Sequence, residues 1–287
     1  MKPIYIDPEI HLADIVGSLR GAGLKQGDTV MVHSDLSTFG RIGDMDREEF
    51  LSYILGAFKI VLGEFGTLIV PTYTYSFIST GRYDVKMRSE VGTFSNFVLG
   101  QPGAYRSIDP IFSHAGIGRR AKPLLEGMSY ECFGIDSFFD LLYRDDGKIM
   151  NFGKFFDITF LHYVEKMWNV PYRYDKPFTG TISDNTGEWQ RTVIYYVRAL
   201  KEDGYDVRYD MRKLGRELDR RGMLGRAPLG NSEILCSRAQ DCFHVGYEML
   251  DKDVYAFLEQ NPVIESRTKT SGDAKYNKKR FDEIDSF

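Results

Sequence analysis

Residues 29–72 constrain the fold most, because a buried-looking strand, Thr29–His33, is followed by an amphipathic helix and a second strand, Thr67–Thr72. Phe50, Ile54, Phe58 and Val61 or Leu62 recur at helical spacing over Asp46–Leu62, and Gly63 with Gly66 stops that helix. Strand, helix and strand in this order imply a partly parallel sheet covered by helices on both faces. Upstream, a helix over Glu9–Arg20 ends in Gly21-Ala22-Gly23. Downstream the pattern repeats as helix Gly92–Leu99, strand Phe112–Gly118, helix Ser137–Arg144, strand Lys148–Phe152 and a helix carrying His162. Phe178–Ser183 and Glu188–Arg198 flank Asp184-Asn185-Thr186-Gly187, a hairpin signal that adds an antiparallel element. Helices over Met211–Arg221 and Ala239–Leu258 complete the order. No repeat or linker cuts the chain, so one domain is expected over residues 1–262. Residues 263–287 lack apolar periodicity from about Ser266 and read as a solvated tail, with an oligomer clasp or a short basic arm as the other readings.

Of the 287 residues, 43% are apolar, enough for a sizeable core. Thirty-seven basic and forty-one acidic side chains leave a net charge of −4, so no overall positive field collects nucleic acid or an anionic membrane. A neutral or cationic small substrate suits such a surface better. Cys132, Cys236 and Cys242 form an odd set without a C-x-x-C pair, which argues against a disulfide framework and a zinc site. The first residues lack an apolar signal core, and no run of about 18 apolar residues occurs. A cytoplasmic protein with reduced thiols, no metal and no membrane partner is expected, with homo-oligomerisation left open.

His162 and Glu165 stand three apart and therefore share one helical face. A carboxylate there can hold the imidazole in one tautomer or raise its basicity from a reference pKa of about 6.5, making His162 a candidate general base. The plainer reading is a solvated surface pair. Thr72 and Tyr73 end a strand at its carboxyl edge, where open α/β sheets place ligands. His114 either lines a cleft there or is a satisfied core histidine, and His33 reads as structural. Gly21-Ala22-Gly23 and Gly116-Ile117-Gly118 lack the context of a dinucleotide fingerprint, and no G-x-S-x-G elbow of a serine hydrolase occurs.

Six segments in order carry a further signal: 30–37 (VMVHSDLS), 66–73 (GTLIVPTY), 106–113 (RSIDPIFS), 133–137 (FGIDS), 148–153 (KIMNFG) and 159–165 (TFLHYVE). Together they resemble the aminoglycoside 3-N-acetyltransferases, the antibiotic N-acetyltransferase family distinct from the GNAT fold. The resemblance implies a three-layer α/β/α sandwich on a mixed sheet, here with the added antiparallel hairpin. It also implies an acetyl-CoA-dependent N-acetyltransferase with His162 as general base and Glu165 assisting it or meeting the substrate. Ser34, Asp35, Leu36 and Ser37 then border CoA, although Asp35 replaces a common serine and its carboxylate suits a diphosphate only if turned away; capping by Ser34 or Ser37 is the alternative role. Ser113 and Ile117, within a segment ending in Gly118, border the same channel. Thr72, Tyr73, His114 and Arg173 fall on the acceptor side, Arg173 alternatively pairing with Asp157 or Asp175. The family's usual Arg-Ser-x-His-Pro reads Arg106-Ser107-Ile108-Asp109-Pro110 here. That departure and the aromatics of Tyr73–Tyr83 favour an amino-sugar precursor of a surface polysaccharide over an aminoglycoside, for which Asp184, Glu188, Asp206 and Asp210 are candidate carboxylates. A non-catalytic CoA- or sugar-binding relative is the competing expectation.

Overall fold

The computed structural model describes residues 10–39, 45–127, 129–153 and 155–264; of the tail expected over 263–287, Val263 bridges Tyr205 and the Ile264 N–H donates to the Gly204 carbonyl, and the remainder lies outside the described residues. Helix α1 (Leu12–Gly21) leads to β1 (Thr29–Ser34), α2 (Arg47–Leu62) and β2 (Thr67–Pro71). Short elements follow: α3 (Phe77–Thr80), β3 (Arg82–Asp84), α4 (Thr93–Leu99), β4 (Tyr105–Arg106), β5 (His114–Gly118) and α5 (Ala121–Leu125). Then come α6 (Phe138–Arg144), β6 (Lys148–Phe152), α7 (Leu161–Trp168) and the long strands β7 (Arg173–Asp184) and β8 (Gly187–Arg198). The chain closes with α8 (Arg212–Arg220), β9 (Gly225–Leu229), β10 (Ser232–Arg238) and α9 (Ala239–Lys252).

The main sheet has the order β4-β5-β2-β1-β6-β10-β9. Its centre is parallel: Val30 pairs with Leu68 on β2 and with Lys148 on β6. Both flanks are antiparallel, through Val70↔Ala115 on β5 and Cys236↔Met150 on β10. Alternation along the strands sends Val30, Val32, Val70 and Met150 to one face and Met31, Ile69 and Ile149 to the other. On the first face they pack with Leu19 of α1, Ile54 and Phe58 of α2 and Phe94 of α4. Leu125, Phe139, Val164, Leu218 and Phe243 bring α5 to α9 onto the second. The result is the expected three-layer sandwich.

A second sheet, β3-β7-β8, lies on the α5–α9 side and contributes Ile182, Val193 and Tyr196 to that core. The hairpin is longer than its apolar alternation suggested, because Arg173–Pro177 pair with β8 while most of their side chains face outward. Hairpin β9–β10 was not anticipated. Its two-residue Gly230-Asn231 link, with Gly230 at φ +54°, is the signal that would have found it. α9 stops at Lys252 instead of Leu258, where Asp253 turns extended, and α1 begins at Leu12, with the Asp14 carboxylate accepting from the His11 N–H. Because β2, β1 and β6 are parallel, their carboxyl ends share one edge. The segment after β6 carries α7 to that edge.

Candidate active site

α7 buries Leu161, Tyr163, Val164 and Glu165 and ends at Asn169, which takes the left-handed conformation at φ 65°. His162 Nδ1 lies 2.7 Å from Glu165 Oε2. Glu165 is fully buried, which excludes the solvated-pair reading. Its carboxylate also accepts from the Tyr172 hydroxyl at 2.8 Å, the Tyr209 hydroxyl at 2.9 Å and Arg173 Nε at 3.0 Å. Arg173 donates through Nη1 to the Tyr196 carbonyl at 2.6 Å, and its Nη2 stands 3.1 Å from His162 Nε2. Guanidinium can only donate, so Nε2 accepts and Nδ1–H donates to Glu165. These partners assign the neutral Nδ1–H tautomer.

The electrostatics correct one expectation. His162 is not made more basic by its carboxylate neighbour; burial first, and then the Arg173 cation, hold its pKa below the ordinary value, and the opposing pull of Glu165 does not prevail. Burial pushes the Glu165 carboxyl up, yet Arg173 and the hydrogen bonds from His162 and Tyr172 outweigh it and keep the group below the usual carboxylate range. Arg173 therefore pairs with Glu165, not with Asp157 or Asp175; Asp175 instead meets Lys166. The rings of Phe133 and Tyr209 stand edge-on to His162 at 5.5 and 5.6 Å.

Thr72 and Tyr73 lie at the strand edge but inside the protein. Arg106 donates to the Thr72 carbonyl at 2.6 Å and to Ser113 Oγ at 3.1 Å, and its Nη1 reaches the Val85 and Met87 carbonyls. Ser113 Oγ in turn donates to the Thr72 carbonyl at 2.5 Å. The Tyr73 hydroxyl is 3.5 Å from His114 Nε2, and the His114 ring stacks on Phe138 at 3.9 Å with Nδ1 buried and unpartnered. His114 thus lies in the core, but with one ring nitrogen unpaired rather than satisfied, and burial holds its pKa far below the ordinary value. His33 likewise has a buried, unpartnered Nε2 and a pKa lowered to about 4 by burial.

After β1, Asp35 accepts from Ser37 N at 3.2 Å and Ser37 Oγ at 2.5 Å, capping the short turn Leu36–Thr38. The capping residue is Asp35 rather than Ser34 or Ser37, and its charge is drawn into the turn. Gly153, at φ +92°, lets β6 end against this turn, since a Cβ there would lie 2.5 Å from Thr38 Oγ1. Ile117 is set apart: it pairs with Leu68 at the opposite end of β2 and lines a hollow of about 100 Å³ with Leu55, Phe58 and Leu62. Asp109 accepts the N–H groups of Ile111 at 2.9 Å and Phe112 at 2.8 Å, so it holds the loop before β5. Asp184 closes its own turn on Thr186, Asp206 pairs with Arg208 and Asp210 with Arg216.

A cleft of about 1070 Å³ opens between the start of α2, α4, residues 85–88 and the hairpin tip at Asp184 and Asn185. Its lining includes the cations Arg47, Lys86, Arg88 and Arg106 and the carboxylates Asp46, Glu48 and Asp184. Arg106 connects this cleft to Thr72 and Ser113. Arg47, Lys86 and Arg88 escaped sequence reasoning because they are scattered along the chain without a motif, and Tyr209 because it reaches Glu165 from 44 residues downstream. Cys132, Cys236 and Cys242 are free and buried. Among the described residues no cluster of three or more His, Cys, Asp or Glu forms a metal site, and no helix is long and apolar enough to cross a membrane.

A three-layer α/β/α sandwich that presents an imidazole, a buried carboxylate and a guanidinium beside the edge of its parallel strands defines a protein of the α/β class with a candidate proton-accepting site. Residues 31–251 match the family profile of the aminoglycoside 3-N-acetyltransferases, and the chain belongs to that family as one of its acetyltransferases. Aminoglycoside N(3)-acetyltransferase III of Serratia marcescens is 25% identical over 251 residues, covering 76% of this chain and 90% of that protein. Among solved structures, AAC-IIIb in binary complex with CoASH superposes with a TM-score of 0.72 at 21% identity, over 89% of this chain and all of that one. AAC-VIa bound to sisomicin gives 0.70 at 20% identity, over 85% and 98%. At these identities the two structures establish the fold.

Proposed function

We propose that the protein transfers the acetyl group of acetyl-CoA to an amino group of an amino sugar, with His162 as general base. The observation that carries this reading is the array of His162, Glu165 and Arg173 on α7 and β7, beside the edge where the parallel strands end. Acetyl-CoA, when bound, supplies a thioester whose C–S bond gives way to the new C–N bond. His162 Nε2 takes the proton that nitrogen sheds and returns it to the leaving sulfur. Glu165 holds Nδ1–H and stabilises the imidazolium while it lasts.

The cleft supports the coenzyme assignment. Lys86, Arg88 and Arg47 supply cations for the phosphates, and Arg106 ties that cleft to the strand edge where Ser34–Ser37 and Ser113 sit. The relative crystallised with CoASH makes the same ligand the natural choice. Near His162, the partly exposed Tyr209, in edge contact with the imidazole, and Tyr195, packed on the buried Phe133, supply aromatic surface for the apolar side of a sugar ring. Use of acetyl-CoA would be in keeping with the cytoplasmic location expected from the sequence.

Thiol release from acetyl-CoA, measured against a panel of amino sugars that includes nucleotide-linked and sisomicin-type acceptors, tests the reading. His162→Ala is expected to lower turnover by about 100- to 10 000-fold while the rise in melting temperature caused by CoA stays as it was. Unchanged turnover in that variant would remove His162 from the chemistry. Absence of any CoA-induced stabilisation would favour a relative that has lost the reaction.

A further inference from the structure

We propose that Arg173 makes this acetyltransferase selective for acceptor amines that are uncharged when they bind: weakly basic amines flanked by electron-withdrawing substituents, in preference to strongly basic alkylammonium groups. The inference rests on His162 being the proton acceptor, as argued above. His162 Nε2 is the atom that must receive the proton, and Arg173 Nη2 stands 3.1 Å from it. Arg173 is buried and held from three further directions, by Glu165 Oε2, the Tyr209 hydroxyl and the Tyr196 carbonyl. To free Nε2 for an incoming N–H, one guanidinium N–H must turn away. The other three contacts keep the cation beside the site.

The negative charge available there is already matched. Glu165 faces His162 from α7, but it is fully buried and receives Arg173, Tyr172, Tyr209 and His162 together. One turn on, Lys166 adds a second cation, and the two carboxylates beside it, Glu131 and Asp175, are its own partners. Behind Phe133, Asp109 is turned into its backbone loop and Cys132 is a buried thiol. β8 presents Tyr195 and the loop before α8 presents Tyr209, both with phenol pKa values raised chiefly by burial and so neutral. An ammonium group approaching Nε2 meets a guanidinium and no unmatched carboxylate among the described residues. A neutral amine meets no such repulsion and brings a free lone pair.

The step balances for a neutral amine. Its lone pair forms the C–N bond, the C–S pair leaves with sulfur, and the surplus N–H proton passes to Nε2 and on to the thiolate. The depressed basicity of His162, from burial and Arg173, agrees with this: the imidazole rests neutral but is a weak competitor for the proton of a strongly basic ammonium.

The test is a pH series of kcat/KM, read by thiol release, for primary amines of similar size whose conjugate acids span pKa values from about 5 to about 10. If only the neutral form binds, an amine of pKa about 9.5 gains roughly tenfold in kcat/KM per pH unit between about pH 6.5 and 8.5. At pH 7.5 it trails an amine of pKa below 7 by about 100-fold. Arg173→Gln is expected to flatten that dependence, and Arg173→Lys to retain it. Should the Gln variant fail to fold, the wild-type series and the Lys variant still decide. A flat profile for strongly basic amines, at rates equal to or above the weak ones, overturns the selectivity alone. Absence of turnover with every amine overturns the acetyl-transfer reading and this inference with it.

Discussion

Glu165 carries its charge where water does not reach, and everything around it is arranged to make that tolerable. Burial alone would protonate the carboxyl; Arg173, His162, Tyr172 and Tyr209 together win against it. Glu165→Gln is therefore expected to leave Arg173 as an uncompensated buried cation and to cost about 3–5 kcal/mol, read as a lower urea midpoint. An unchanged midpoint would mean that Arg173 finds water or another acceptor. The two interior histidines set a different, pH-dependent term. His33 and His114 fold in the neutral state, with pKa values depressed from 6.5 by burial, His33 to about 4. In the unfolded chain each binds a proton below pH 6.5, so their contribution is fully present above that pH and is lost as pH falls toward 4. Stability should decline by roughly 1.4 kcal/mol per pH unit for each histidine across that window. Urea titrations at pH 7 and pH 5 measure it, and His33→Gln should reduce the slope by roughly 1.4 kcal/mol per pH unit; an equal slope in the variant contradicts the assignment.

At the scale of elements, α2 has the most explicit local start. Asp46 accepts from Glu48 N at 2.8 Å and Glu49 N at 2.9 Å, and the Asp46 N–H donates in return to the Glu49 carboxylate at 3.1 Å. Asp46→Ala should cost about 1 kcal/mol, visible as a shift of the urea midpoint at constant slope. A loss several times larger would mean that Asp46 supports the adjoining cleft as well as the helix. α2 was legible because burial on one face writes a helical repeat into the sequence, β1, β2 and β6 because burial on both faces writes a short continuous apolar run, and the β7–β8 turn through its Asp184-Asn185-Thr186-Gly187 signal. β9–β10 was not, since Gly225–Leu229 is only five residues long and places Pro228, which reads against a strand, on one of its exposed positions. β3 and β4, at three and two residues, are too short to repeat at all.

For the whole molecule, the decisive quantity is where charge collects, not its total. A chain of net charge −4 nonetheless gathers Arg47, Lys86, Arg88 and Arg106 along one cleft. Replacing Lys86 and Arg88 together by Gln should weaken CoA binding by about tenfold or more and lessen its salt dependence, measured by calorimetry at two ionic strengths. An unchanged affinity would move the phosphates elsewhere. For the parent protein, CoA at 100 times its Kd should add about 2.7 kcal/mol to stability. The sequence by itself determined the layered fold, the carboxyl-edge location and the His162–Glu165 pair, because periodicity, capping and helical spacing act over a few residues and leave local traces. Only the tertiary structure decided that Arg173 caps the imidazole, that Tyr209 closes the array, that Asp35 bends into its own turn and that His162 is made less basic rather than more. Those outcomes depend on burial and on partners brought from distant segments, and desolvation is a property of everything packed around a group.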